Sequence, residues 1–540
     1  MSLRNRLVLP VILFALAVLA GCGSSTSNPV PPPTGGFSNT NFNGTYTFSV
    51  LGQDGNGTFA MAGSLVACGC ANHTIASGTV DLLDPVPLVA PGSTIGSGST
   101  YNITPDGRGT ANLVVTNSGL GLSTTIEVDF VLTSSSHGLI IYSGGGPAGG
   151  GSASGTIDLQ PTAVTQGSLA NAYSFSLSGT DFTTNLNPIA TVGAFTLDGS
   201  GNIVNSPAGV EDFNYAAAPS TNLVLTGGVT VGSGTAPGVA TFSSSFGVLN
   251  FDVYAIDSTH LKLIENDGQA IIVGDVFTQP NTTIPSNLVF TMAGFDTTGG
   301  APFVVGGLMS TSGGTITGGS EDINEGGSVD GGTNPAVPVS FGGSFAPSGG
   351  TGRLVFAPTG FFGGASFAAY PSSGGIFLME IDTGLNPGIT SGVALQQTGT
   401  SITAQGYGLN LTGQDTNGEL DEIAEFTTTS TTLKGLLDED ESFSTDTHNL
   451  TGNYTVASNG EGSATSLSSG MAGMFFYVAD SSNALFISTD PNQVALGSFQ
   501  AQTTPTSVSN MTQQHFAMLR SVHAPHSASK NNKTRFRQAK

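Results

Sequence analysis

The stretch Tyr46-Thr47-Phe48-Ser49-Val50-Leu51-Gly52-Gln53-Asp54 decides the fold, because its pattern returns three more times along the chain. Apolar and polar residues alternate up to a Gly-x-Asp ending, as in a β-strand that buries one face. The other copies begin at Tyr173, Leu288 and Tyr407 and end at Asp181, Asp296 and Asp415. Four copies at similar separations predict four tandem units with one strand order.

Four further landmarks follow each opening strand in a fixed order. They are a Gly-x-x-Asp segment (Gly78–Asp81, Gly209–Asp212, Gly319–Asp322, Gly435–Asp438), a glycine-rich turn (106–109, 229–238, 345–352, 459–462), an aromatic hairpin (128–142, 251–263, 367–378, 475–487), and a closing Gly with a Gln five residues later (Gly155 and Gln160, Gly274 and Gln279, Gly392 and Gln397, Gly497 and Gln502). Asp-Gly and Asn-Gly pairs supply the positive φ of tight hairpins. Each unit is therefore predicted to contain about eight short strands.

The predicted fold class is all-β, with four tandem antiparallel units that each form a small up-and-down barrel. Eight strands just suffice to close a barrel, and closure removes exposed strand edges. A two-sheet β-sandwich is the alternative. The predicted segments are a signal peptide (1–21), a lipidated Cys22 with a Ser/Pro-rich tether (22–41), four β repeats (42–164, 165–281, 282–402, 403–505) and a basic C-terminal tail (506–540).

The first residues have the pattern of a secretory signal. Arg4 and Arg6 precede a short apolar run, which ends in small residues before Cys22. The sequence Leu19-Ala20-Gly21-Cys22 resembles the lipobox of bacterial lipoproteins. That resemblance implies that Cys22 becomes the mature N-terminus and carries acyl chains such as palmitate. A plain secreted signal is the alternative.

Charge is distributed unevenly along the chain. Six of the 12 Lys and Arg lie in the tail and two in the signal, whereas all 36 Asp and Glu lie in the repeats. The repeats carry only Arg108, Lys262, Arg353 and Lys434, so their formal net charge is −32. Such a body excludes nucleic acid as a partner, because that binding depends on Lys and Arg meeting phosphates.

Cys68 and Cys70 are the only thiols besides Cys22. An exported location favours a disulfide between them, and Gly69 permits the small ring. Two reduced thiols, or a soft-metal site that includes His73, are the alternatives. The other repeats lack these cysteines, so the common fold does not require them.

Oxygen-bearing side chains at alternate positions make weak Ca²⁺ candidates, and no other cofactor is predicted. They are Asp54 and Asn56 in the first repeat, and Asp415, Asn417, Glu419 and Asp421 in the fourth. Ca²⁺ prefers six to eight oxygens, and these segments lack the spacing of a complete loop. Hairpin turns also favour Asp, Asn and Gly without any metal.

The sequence offers no catalytic constellation, and the chain is predicted not to be an enzyme. The pairs Glu211–Asp212 and Glu321–Asp322 recur at one repeat position, which favours a structural turn over catalysis. His73, His137, His260 and His448 each stand without a recognisable nucleophile elbow.

The repeats resemble large repeat lipoproteins of acidobacteria. The shared features are the opening Tyr-x-Phe, the turn at residues 198–203, the Gly-x-Glu-Asp segment and the closing Gln. The resemblance implies an envelope location and carries no activity with it. The leading interpretation is a non-enzymatic protein, lipid-anchored in the outer membrane at its surface or periplasmic face. Its repeats would act as spacer, adhesion or interaction modules toward an envelope, glycan or protein partner. Binding of small apolar ligands inside the barrels is the second interpretation, and an enzyme of unknown class is the third.

Overall fold

The computed structural model describes residues 36–503, apart from residues 86–87, 146–150, 183–185, 281, 297–300, 330–337, 361–363, 384–387, 442–443 and 468–470. The predicted all-β class with four tandem antiparallel barrels is confirmed. Within the described part, the helical elements are two short 3₁₀ turns, Asn39–Asn41 and Gln166–Leu169. No helix among these residues is long and apolar enough to cross a membrane.

Barrels 1 and 2 are antiparallel meanders in which most strands pair with their neighbours in sequence. Barrel 1 consists of β1 (Asn43–Asp54), β2 (Gly57–Cys68), β3 (Ile75–Asp84), β4 (Leu88–Ile95), β5 (Thr100–Ile103), β6 (Arg108–Asn117), β7 (Leu122–Leu132), β8 (His137–Gly145) and β9 (Ser152–Leu159). Barrel 2 consists of β10 (Ala172–Asp181), β11 (Pro188–Thr196), β12 (Gly209–Tyr215), β13 (Ala218–Thr230), β14 (Gly238–Ser243), β15 (Val248–Ala255), β16 (His260–Glu265) and β17 (Ala270–Thr278). Barrel 2 closes through β10 and β17, and the ring of barrel 1 is completed by pairing of β4 with β6.

Barrels 3 and 4 repeat this order. Barrel 3 consists of β18 (Asn287–Asp296), β19 (Pro302–Ser312), β20 (Thr315–Glu325), β21 (Ser328–Val329), β22 (Val339–Pro347), β23 (Leu354–Thr359), β24 (Phe367–Ser372), β25 (Gly375–Glu380) and β26 (Gly388–Gln396). Barrel 4 consists of β27 (Gly406–Gln414), β28 (Glu419–Thr428), β29 (Thr432–Glu441), β30 (Ser444–Val456), β31 (Glu461–Thr465), β32 (Gly473–Val478), β33 (Asn483–Ser488) and β34 (Val494–Ala501). In barrel 3 the first strand β18 pairs with the last strand β26, and the pairing of β19 with β20 completes the ring; barrel 4 closes where β27 pairs with β34.

The alternation of apolar and polar residues marks strands with one buried face, as predicted. The apolar side chains on that face fill the interior of the strand's own barrel. Tyr46, Phe48 and Val50 alternate along β1 and belong to the core of barrel 1. Tyr173, Phe175 and Leu177 have the same role in barrel 2. Burial of such large side chains contributes about 1.5–3 kcal/mol each. The barrel interiors are thus packed hydrophobic cores.

The opposite faces of several strands are also buried, because the barrels pack against one another. Separate apolar clusters join barrel 1 to 2, barrel 2 to 3, and barrel 3 to 4. A further cluster joins Ile423 of barrel 4 to Val131, Leu139 and Ile141 of barrel 1. The four barrels therefore form a closed ring in which the last one contacts the first.

Candidate functional site

The aspartate of each Gly-x-x-Asp segment lies at an interface between barrels. Asp81, Asp212 and Asp322 are at most 2% exposed and lie within strands β3, β12 and β20. The predicted structural turn at Glu211–Asp212 and Glu321–Asp322 is therefore wrong. Neighbours on a strand point to opposite faces. Glu211 accepts a bond from Thr191 on its own barrel, whereas the partners of Asp212 include residues of barrel 3.

A tyrosine of the next barrel donates to this aspartate at three interfaces. The phenol oxygens of Tyr254, Tyr370 and Tyr477 lie 2.8, 2.5 and 2.8 Å from Oδ2 of Asp81, Asp212 and Asp322, respectively. Burial, reinforced by the carboxylate beside it, raises the pKa of Tyr254 and of Tyr370 well above the ordinary tyrosine value. These phenols therefore stay protonated and act as donors.

The fourth interface, between barrels 4 and 1, replaces the tyrosine with an ion pair. The strand register places Val131 of barrel 1 at the position of Tyr254 in barrel 2. Instead, Nη1 of Arg108 lies 2.9 and 3.0 Å from the two carboxylate oxygens of Asp438. At the equivalent turn of barrel 3, Arg353 donates from Nε and Nη2 to Asp212 at 2.6 and 2.7 Å.

The closing glutamine of each barrel also reaches the next barrel in the ring. Nε2 of Gln502 donates to the carbonyls of Asp106 and Leu132 in barrel 1, at 2.7 and 3.1 Å. Gln397 makes the same two contacts with Asn459 and Val478 of barrel 4. Gln160 donates to the carbonyl of Ala255, and Gln279 to that of Thr351. A residue that recurs in the sequence thus makes a contact that recurs in space.

A buried ionic cluster lies between barrels 1 and 2. Nζ of Lys262 is 3.2 Å from Asp275 of its own barrel and 3.6 Å from Asp158 of barrel 1. His260 lies 2.7 Å from Asp275, and His137 lies 2.6 Å from Asp158. Burial raises the pKa of Asp275, but Lys262 and His260 outweigh it and lower that pKa to about 2. His137 and His260, which the sequence shows without a nucleophile elbow, thus each pair with an aspartate.

An acidic cluster distinguishes the interface between barrels 4 and 1. Burial raises the pKa of Asp421 to about 7 and those of Glu425 and Asp440 to about 8. On the side of barrel 1, burial raises the pKa of Asp129 to about 6. Carboxyl groups held in this way are costly to ionise. Ionisation of these groups therefore opposes the packing of barrel 4 on barrel 1.

The structure joins Cys68 and Cys70 in a disulfide at the end of β2. Gly69 between them has φ +57°, which glycine adopts without strain. Nε2 of His73, the third member of the proposed soft-metal set, lies 2.9 Å from Nδ2 of Asn39. The Cys68–Cys70 disulfide belongs to barrel 1, and the other three repeats contain no cysteine.

The weak Ca²⁺ candidates have different structural roles: some of them stabilise hairpin turns, and others belong to a strand. Oδ1 of Asp54 accepts the backbone N–H groups of Asn56 and Gly57 at 2.7 and 3.1 Å, and Asp415 binds Asn417 and Gly418 in the same way. Among the described residues, no three His, Cys, Asp or Glu side chains form a group that could hold a metal. Glu419 and Asp421 belong to β28, where Oδ2 of Asp421 accepts a bond from Ser152 of barrel 1 at 2.7 Å.

Several predictions concern segments outside the described residues. These are the signal peptide (1–21), the lipidation of Cys22, most of the tether (22–41) and the basic tail (506–540). They remain predictions.

Comparisons with known proteins add little. No family model matches the chain, and no curated protein matches it. Among solved structures, a mutant of transferrin binding protein B from Haemophilus parasuis Hp5 aligns at 9% identity and a TM-score of 0.19, covering 69% of this chain and 83% of that one. Intact Ap-TbpB, with its N and C lobes, aligns at 9% identity and a TM-score of 0.16, covering 72% and 86%. Overlaps this weak support no inference about this chain.

Proposed function

We propose that this chain is a lipid-anchored, non-enzymatic protein of the bacterial cell envelope, whose ring of four barrels is a rigid body for interaction with a partner. The cyclic packing of the barrels carries this proposal. A body fixed by four buried interfaces presents its outer surface in one arrangement, which favours binding because little order is lost on association.

The placement of the polar groups supports a structural rather than a catalytic role. Arg108, Lys262 and Arg353 all lie at interfaces and pair with carboxylates there. The histidines His137 and His260 belong to one of these interfaces. Their chemistry is therefore used to hold the barrels together.

The packed interiors disfavour the carrier interpretation. The core of barrel 4, for example, contains Tyr407, Phe426, Phe476, Phe486 and Phe499 in mutual contact. The closed ring likewise disfavours an extended spacer, because barrel 1 and barrel 4 touch. Adhesion or another form of interaction is the remaining role for the repeats.

Anchoring is tested by replacing Cys22 with alanine in cells that make the full chain. We expect the wild-type chain in the membrane fraction, with globomycin causing a larger, unprocessed form to accumulate. We expect the variant to lose the acyl modification by mass spectrometry. A wild-type protein that shows no acyl mass and is insensitive to globomycin would contradict the anchor.

The interaction role is tested by surface labelling of intact cells, followed by binding of the purified chain to glycans and envelope proteins. We expect saturable binding that survives in Cys22→Ala, because the ring and not the lipid makes the contact. Turnover of a substrate, without stable binding to any partner, would contradict a non-enzymatic role.

A further inference from the structure

The glycine-rich turns of barrels 1, 3 and 4 lie directly against the closing glutamine of the preceding barrel in the ring. Gly107, Gly352 and Gly460 in these turns have φ values of +92°, +75° and +92°. A Cβ at these positions would lie 2.6, 2.8 and 2.6 Å from Nε2 of that glutamine. The close approach therefore requires glycine, both for its backbone conformation and for its missing side chain.

The turn of barrel 2 lacks this glycine. The pairing of Gly238 with Val253 places Ala236 at the corresponding position, where a Cβ would collide with the glutamine. The other three closing glutamines each donate to a carbonyl of the turn. Within the described residues, Gln160 instead donates to the carbonyl of Ala255 at 2.7 Å and to no group of the turn. The turn of barrel 2 thus stands away from its glutamine.

The space left by this turn is a cleft between barrels 1 and 2. Its volume is about 120 Å³, which gives room for about eight water molecules and is comparable to a single sugar ring. It is lined by Thr47 and Ser64 of barrel 1, by residues 160 and 163–164 of the linker, and by residues 231–236 and 253–255 of barrel 2. The cleft lies between barrels and is separate from their packed interiors.

The cleft offers hydrogen-bonding groups of both kinds. The hydroxyls of Thr47 and Ser64, the amide of Gln160 and the backbone of the glycine-rich turn belong to its lining. Ser64 is only 4% exposed, and its Oγ has no hydrogen-bond partner among the described residues. A buried hydroxyl without a partner costs free energy that a bound hydroxyl group would recover.

The lining carries no charge to match an ionic ligand. Among the lining residues that the structure describes, none has a carboxylate, an amine, a guanidinium or an imidazole group. Tyr254 contributes a phenol, but it donates to Asp81 at 2.8 Å, and burial raises its pKa well above the ordinary value. An ion placed here would lose hydration without gaining a counter-charge, so a neutral ligand is favoured.

We propose that the cleft between barrels 1 and 2 binds one neutral sugar residue of a glycan. Sugar hydroxyls both donate and accept hydrogen bonds, as the uncharged groups of the lining require. One such hydroxyl supplies the partner that Ser64 lacks. The inference rests on the proposed interaction role and names the chemical class of the partner.

Saturation-transfer NMR titration of the purified chain with glucose, galactose and N-acetylglucosamine tests this. Glucuronic acid and inorganic phosphate are the charged controls. We expect saturable binding of at least one of the three neutral sugars and no binding of either anion. A wild-type chain that binds none of the three neutral sugars, or that prefers the anions, overturns the proposal.

Two variants locate the site. Ser64→Ala removes the unpartnered hydroxyl at a position where barrel 2 has Ala194, and it should weaken binding about 2- to 10-fold. Ala163→Phe places a large side chain at the exposed rim of the cleft and should weaken binding by about 10-fold or more. Thr162→Phe is the matched control, because Thr162 is exposed and outside the lining. It should leave the affinity unchanged.

Circular dichroism of each variant shows whether it is folded. Sugar binding that survives unchanged in both Ser64→Ala and Ala163→Phe would place the sugar elsewhere and overturn the proposal. A chain that binds an envelope protein but none of the sugars refutes the sugar site and leaves the interaction role standing. A chain that binds neither refutes both.

Discussion

At the scale of single residues, buried charges decide how the barrels meet. Asp212 is fully buried and binds both the guanidinium of Arg353 and the phenol of Tyr370. Arg353 is itself only 4% exposed. Removing one member of such a pair leaves the other charge buried without a partner. The resulting loss of folding free energy is much larger than the net stabilisation that the intact pair provides.

Asp212→Asn should therefore destabilise the protein by about 3–5 kcal/mol. Tyr370→Phe removes one hydrogen bond to the same carboxylate and should cost only about 1–3 kcal/mol. Chemical unfolding followed by tyrosine fluorescence measures both, since the chain has no tryptophan. Equal effects of the two variants would show that the ion pair is not the main contact.

The acidic cluster between barrels 4 and 1 should make stability fall as the pH rises. A carboxyl group whose pKa is raised by folding binds its proton more tightly in the folded state, so folding is favoured at low pH. The groups facing this cluster are Asp421, Glu425, Asp438 and Asp440 of barrel 4, and Asp106, Arg108, Glu127, Asp129 and Tyr142 of barrel 1. Since the pKa of Asp440 is about 8, its contribution is present near pH 4 and is lost by about pH 8.

Asp440→Asn should remove this group's part of the dependence. We expect the variant to be more stable than wild type by roughly 1–3 kcal/mol at pH 8, and similar to it at pH 5. Thermal unfolding at the two pH values is the measurement. Asp198→Asn is the control, because Asp198 lies in an exposed turn and its pKa is lowered by hydrogen bonds from Asn202. A pH profile unchanged by Asp440→Asn would contradict the assignment.

At the scale of strands, the closing glycine of each barrel permits a close approach between the first and last strands. A Cβ on Gly155 of β9 would lie 1.8 Å from the carbonyl oxygen of Ser49 on β1, and the equivalent Gly497 would lie 2.1 Å from that of Asn410. Contacts this short are impossible without moving a strand. The recurrence of this glycine therefore has a steric cause.

Gly155→Ala should destabilise barrel 1 by about 3 kcal/mol or more, because the clash involves backbone rather than a flexible side chain. Gly199→Ala is the matched control, since a Cβ there has no atom within 4 Å. That control should change the free energy of unfolding by no more than about 0.5 kcal/mol. Denaturation midpoints of the two variants give the comparison, and an equally mild effect at Gly155 would contradict the steric explanation.

The sequence predicts strands better than it predicts contacts between barrels. Alternation in Tyr46, Phe48 and Val50 identified a strand with a buried face, because that signal is local. The same rule cannot say that Ser49, on the other face, is only 7% exposed, since its burial depends on a neighbouring barrel distant in sequence. A further signal was present: Gly-x-x-Asp and the closing Gln recur in every unit, although a hairpin barrel needs neither.

At the scale of the whole molecule, the repeats form a ring because each carries two complementary surfaces. The aspartate and closing glutamine of one barrel meet the aromatic hairpin or glycine-rich turn of the next, and barrel 4 meets barrel 1 by the same rule. In this arrangement Arg108, Lys262 and Arg353 each pair with a carboxylate at an interface between barrels. A linear string would leave the two end surfaces exposed.

Small-angle X-ray scattering on a chain that lacks residues 1–22 tests the ring most directly. A compact body spanning residues 36–503 should have a radius of gyration of about 23 Å, as expected for a folded chain of that length. We expect a compact, single-peaked distance distribution at low concentration. An elongated particle, with a long tail of distances typical of four barrels in a row, would contradict the closed ring.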